Sequence, residues 1–140
     1  FPYTTLFLSP EGDIKDQAII SYIDYAKAGF HDAKAFERNY GDVSTDQLVD
    51  WDLCREMSFR IAWKPYMYNP SLSHLLGGVK APSLVVWGDD DQIVPKSAGE
   101  VYANSLPRAR FETVASCGHC VDMEQPDALA KLVTAFVEEN

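Results

Sequence analysis

Chemistry in this chain is sought first where carboxylates and an imidazole fall on loops that follow apolar, strand-like runs. Asp89, Asp90 and Asp91 come after Leu84-Val85-Val86-Trp87-Gly88, and His119 ends the loop Ser116-Cys117-Gly118-His119, which comes after Ala109 to Val114. A carboxylate beside an imidazole holds the ring in one tautomer and stabilises the imidazolium, which lets the histidine act as a general base. The same aspartates also suit a solvated loop or helix caps, and a histidine can simply be packed or exposed. Whether the groups meet depends on the elements that carry them.

Leu84 to Trp87 is a continuous apolar run bounded by Pro82 and Gly88, the pattern of a strand buried on both faces and central in a parallel sheet. Its carboxyl end is where open α/β sheets place their chemistry. Ser97 to Leu106 carries Ala98, Val101, Tyr102 and Leu106 at helical spacing, and Pro107 stops it. Ala109 to Val114 alternates as a strand near a sheet edge does. A β-α-β unit with a right-handed crossover then sets the two strand ends side by side, so Asp91 and His119 can meet. Pro126 suits a first helical position, and Leu129, Leu132, Val133, Phe136 and Val137 form one stripe that packs on the sheet.

The run Ala81 to Pro95 resembles the strand, Gly-x-x-Asp and x-x-Pro of the α/β-hydrolase family. Cys117-Gly118-His119, followed by Glu124-Gln125-Pro126, resembles that family's catalytic-histidine loop. The resemblance implies a nucleophile-His-Asp triad in which Asp91, third after Gly88, is the acid and His119 the base. It implies ester or related carbonyl hydrolysis of a small-molecule substrate, with no cofactor. The fold class it implies is α/β: the C-terminal β-α-β-α portion of a hydrolase sheet over residues 71–140, preceded by a helical cap over residues 1–70.

The first half reads as helical. Phe1 to Ser9 is an apolar and aromatic lead-in, with Pro10-Glu11-Gly12 as a turn. Asp13 to Ala28 has helix-like spacing, with Gly29 where a C-cap favours positive φ. Asp32 caps a short helix closed by Gly41, and Ser44-Thr45-Asp46-Gln47 has the form of a capping box before a long helix through Ile61. Trp63 to Pro70 is an aromatic connector broken by two prolines, and Leu72, Leu75 and Leu76 suggest one more short helix.

Ile93, on the acid loop, and Cys120, beside His119, are candidate substrate contacts, as are Trp63 and Tyr66, which otherwise pack cap against core. In family members that cleave carbon-carbon bonds, tryptophan often follows the histidine. Cys120 stands there instead, which argues against that chemistry. Cys117 and Cys120 lack the second ligand pair of a zinc site and do not open a helix as a redox pair does, so they read as packing residues. His31 and His74 read as surface histidines, and Arg55 and Arg60 as solvated charges.

A net charge of −9 disfavours an electrostatic grip on nucleic acid or an anionic membrane. No run approaches the roughly 18 apolar residues of a membrane span. Three cysteines suggest no disulfide framework, which fits a reducing, cytoplasmic setting; any signal peptide would lie upstream of Phe1. None of the eight glycines forms Gly-x-Ser-x-Gly, so the nucleophile is missing. The strand Leu84 to Trp87 would also keep an unpaired edge. The expected partner is therefore a nucleophile-bearing N-terminal hydrolase half. The alternative is a non-catalytic fragment that forms a homo-oligomer through that edge.

Overall fold

A computed structural model describes residues 21–62 and 71–140. In chain order it contains α1 (Tyr22–Ala28), α2 (Ala33–Tyr40), α3 (Thr45–Ala62), α4 (Leu72–Leu76), β1 (Ser83–Gly88), α5 (Lys96–Ser105), β2 (Ala109–Val114), α6 (Val121–Glu124) and α7 (Pro126–Glu139). β1 and β2 pair in parallel, with Ser83 beside Ala109 and Gly88 beside Val114, so their carboxyl ends are level. α5 is the crossover, packed on both strands, and α7 also packs on β1. The expected β-α-β-α portion of an α/β fold is what these residues form. β1 is less enclosed than its apolar run suggests. Ser83 to Trp87 are half-buried, and among the described residues β2 is its sole strand partner.

The helices before β1 begin where polar caps satisfy their free N–H groups. The Ser21 hydroxyl accepts from Asp24 N, the Asp32 carboxylate from Lys34 N, and the Ser44 hydroxyl from Gln47 N. The expected helix from Asp13 to Ala28 is corrected here, because Ser21 is extended and α1 starts at Tyr22; residues 13–20 lie outside the described set. Gly29 ends α1 with φ −75°, not the positive φ expected of it. Its need for glycine is steric: a Cβ there would lie 3.1 Å from Cys120 Sγ.

Ala26, Phe30, Ala35 and Phe36 form a small buried cluster, with Tyr22, Ile23, Tyr40 and Cys120 packed around it. The Phe36 and Tyr40 rings stack at 5.3 Å, and Phe30 meets both edge-on. Trp51 of α3 adds its ring against Tyr40 and Tyr22. Aromatic pairs of this geometry contribute about 0.5–1.5 kcal/mol each beyond buried area. Cys120 belongs to the histidine loop, so this cluster joins α1 and α2 to the carboxyl end of the sheet.

A one-turn helix, α6, tightens that junction and was not foreseen from sequence. It turns Glu124 inward, leaving the residue 7% exposed. One carboxylate oxygen accepts from Gly118 N at 2.6 Å, the other from Asp32 N at 2.5 Å. The charge is thus satisfied by two backbone donors, one beside His119 and one at the cap of α2. Each N–H left unsatisfied costs about 1–3 kcal/mol. Glu124→Ala is therefore expected to lower the midpoint of urea unfolding with an unchanged slope; an unaltered midpoint would show that the two donors find other partners.

Candidate active site

The acid loop starts where two backbones come too close for a side chain. A Cβ on Gly88 would overlap the carbonyl oxygens of Gly118 and Cys117, which explains glycine at this strand end. Asp89 N donates to Val114 O, and Asp90 N to Cys117 O, both at 3.0 Å. The Asp89 carboxylate accepts from Cys117 N at 3.3 Å. The acid loop and the histidine loop are thus stitched together by backbone bonds before either catalytic candidate is considered.

Asp91 is oriented by its own loop. Its Oδ1 accepts from Ile93 N at 2.9 Å and from Val94 N at 2.8 Å, a local turn that short acidic side chains favour. The Trp87 indole donates to Val94 O at 3.1 Å, which ties the far side of the loop back to β1. The Asp91 side chain is only 4% exposed, and its Oδ2 lies 2.8 Å from His119 Nδ1. An ionised carboxylate only accepts, so Nδ1 carries the hydrogen and Nε2 is the basic nitrogen of the neutral ring. The His119 side chain is 42% exposed.

Two strained or crowded positions set up the histidine loop. Ser116 has φ 52°, left-handed for a non-glycine residue, and turns the chain sharply after β2. At Gly118 a Cβ would lie 2.6 Å from Gly29 O and 2.9 Å from His31 N. The loop is therefore pressed against the turn between α1 and α2, and Cys120 N donates to Gly29 O at 3.0 Å.

Of the residues singled out from sequence, the fold brings Asp91 and His119 into direct contact. Ile93 is buried next to Asp91, and Cys120 is half-buried at the start of α6. Trp63 and Tyr66 lie outside the described residues. Arg55 pairs with Asp52 and lies over the Tyr22 and Tyr25 rings, and Arg60 pairs with Glu56. His74 is exposed on α4. His31 is not a plain surface histidine: its Nδ1 is 2.7 Å from Asp90 Oδ2. The structure also gives roles to two residues that sequence names without one: Asp89 accepts from Cys117 N, and Glu124, in the run before Pro126, accepts from Gly118 N and Asp32 N.

Cys117 and Cys120, the thiols of the histidine loop, are held towards the protonated form. Burial, then the nearby Glu124 charge, pushes Cys117 up to about 12. Burial also raises Cys120, helped by Asp122, Asp91 and Glu124. No group of three or more His, Cys, Asp or Glu side chains suited to a metal ion occurs among the described residues.

Comparisons with known proteins agree with this architecture. Residues 12–126 match the family model described as the alpha/beta hydrolase fold. The monoacylglycerol lipase abhd6-B of Xenopus laevis is 40% identical over 67 residues, 48% of this chain and 20% of the lipase. A 2-hydroxy-6-oxononadienedioate/2-hydroxy-6-oxononatrienedioate hydrolase of Paraburkholderia phymatum is 35% identical over 68 residues, 49% of this chain and 24% of that enzyme. The matched stretch thus spans about a fifth to a quarter of these curated relatives. The crystal structure of a membrane phospholipase A superimposes with a TM-score of 0.68 at 22% identity, over 89% of this chain and 41% of that one, a likeness of fold. With its level parallel strand ends and a family match extending over well more than half its length, the chain belongs to the alpha/beta hydrolase fold family.

Proposed function

We propose that this chain supplies the acid and the base of a hydrolase that cleaves an ester or related carbonyl of a small molecule. The hydrogen bond between His119 Nδ1 and Asp91 Oδ2 carries the reading. In the proposed reaction a hydroxyl nucleophile outside these 140 residues attacks the substrate carbonyl, and its proton passes to His119 Nε2. The imidazolium, stabilised by Asp91, returns that proton to the leaving alcohol as the carbon–oxygen bond breaks. Water then attacks the acyl intermediate, again losing its proton to Nε2, and the nucleophile departs with that proton. No cofactor enters these steps. The hydrolase names of the relatives support the reaction class. Cys120 after His119, where a tryptophan is absent, favours an ester over a carbon-carbon bond. Ile93 and Cys120, and Trp63 and Tyr66 from the proposed cap over residues 1–70, are the proposed substrate contacts.

The nucleophile is proposed to reside in an N-terminal hydrolase portion that completes the sheet. A second reading, a homo-oligomer without activity, is favoured by one observation: β1 pairs with β2 alone among the described residues, and an open edge is a template for another strand. No helix among the described residues is long and apolar enough to cross a membrane. Three free thiols support a cytoplasmic setting.

With the nucleophile-bearing portion present, Asp91→Asn and His119→Ala are each expected to lower kcat for ester hydrolysis by roughly 10³–10⁴-fold, with unchanged far-UV circular dichroism. Turnover at the wild-type rate in either variant would sink the assignment. Native mass spectrometry separates the two partner readings, since an unlike companion chain or portion supports the enzyme and a pair of identical chains supports the oligomer. Brief alkylation of the folded protein near neutral pH should place one adduct, on exposed Cys54, and leave Cys117 unmodified; rapid loss of the Cys117 thiol would contradict its elevated proton affinity.

A further inference from the structure

Two neighbouring aspartates each hold a histidine. Asp91 meets His119, and Asp90 Oδ2 meets His31 Nδ1 at 2.7 Å. The two histidines come from opposite halves of the chain, His31 from the turn between α1 and α2 and His119 from the loop after β2. We propose that His31 is a positioning residue: by binding Asp90 it holds the acid loop so that Asp91 stays aligned with His119.

Geometry makes His31 a fixed strut. Gly29 O, two residues before it, accepts from Cys120 N, and Asp32 N, one residue after it, donates to Glu124. The His31 backbone nitrogen also abuts Gly118. The imidazole is thus carried by a segment anchored at both ends to the histidine loop and α6. Its target is equally placed, because Asp90 N donates to Cys117 O while the Asp90 side chain reaches His31. Asp90 is therefore held by Cys117 O at its backbone and by His31 at Oδ2, with Gln92 Nε2 donating to its Oδ1 at 2.8 Å, and Asp91 is the next residue.

Charge makes the ionic part of the His31–Asp90 contact proton-dependent. The groups facing His31 are Asp90 and Asp89 from the acid loop and Glu124 from α6, with Asp32 beside it in sequence. The hydrogen bond to Asp90 raises its proton affinity, desolvation works against this, and the charges of Asp90, Glu124 and Asp89 add to the rise. A folded-state value above the unfolded one means that the ionic contact is fully present below the ordinary histidine value of about 6.5 and is lost as pH rises through the raised value. With side chains 42% and 47% exposed, the pair adds little stability, so its effect is on position.

This role for His31 rests on the proposed roles of Asp91 and His119, and it is tested by a readout that needs no turnover. The chain has three histidines, which makes long-range proton–nitrogen spectra of the imidazoles assignable by single substitutions. His31 is expected to titrate above the ordinary histidine value, and Asp90→Asn to lower it. His31→Ala should abolish the slowly exchanging Nδ1–H signal of His119. His31→Gln, a neutral donor to Asp90, should restore that signal while removing the change in His119 resonances that follows His31 titration. If His119 spectra in His31→Ala match wild type at every pH, or if Asp90→Asn leaves His31 titration unmoved, His31 is only a surface ion pair and the proposal is overturned. Hydrolysis indifferent to Asp91→Asn would instead overturn the functional reading, whatever these spectra show.

Discussion

The parallel register that sets Gly88 level with Val114 is the constraint on which the rest of this site depends. Level strand ends bring two outgoing loops to the same height, and the missing side chain at Gly88 lets the backbone of Cys117 and Gly118 close over it. Asp89 N and Asp90 N then find acceptors on the opposite loop, Val114 O and Cys117 O. A shift of register by one residue would separate these partners and part Asp91 from His119, whatever the side chains preferred locally.

Around that backbone contact, carboxylates do most of the organising. Asp89 receives Cys117 N, Asp91 receives two N–H groups of its own loop as well as the His119 ring, and Glu124 receives Gly118 N and Asp32 N. Each negative charge sits on backbone donors, which satisfies it without needing a cation. This concentration of charge pulls protons towards nearby groups. It raises the affinity of His31 and adds to the effect of burial in keeping Cys117 a thiol.

The helices α1 and α2 and the turn between them pack directly on the histidine loop. The aromatic cluster of α1, α2 and α3 packs on Cys120, and the turn Gly29 to Asp32 touches the histidine loop at both backbone and side-chain level. Val49, Leu53, Met57 and Ile61 of α3 are exposed among the described residues. The described first half thus has a portion packed on the histidine loop and a more exposed helix.

Local signals in the sequence sufficed for most of the elements from β1 onward and for the expectation that Asp91 and His119 meet. Apolar runs, proline stops and capping residues mark β1, α5, β2 and α7, because each of those preferences acts within a few residues. Asp91 and His119 follow from the same local pattern, since a β-α-β unit leaves few ways to arrange its strand ends. What the tertiary structure alone decided lies where the chain meets itself across long separations. Glu124 bridging to Asp32, His31 reaching Asp90, and Gly29 needing no Cβ because Cys120 lies against it are contacts between residues that carry no local sign of one another. Proximity of that kind belongs to the packed chain, and no spacing rule along the sequence encodes it.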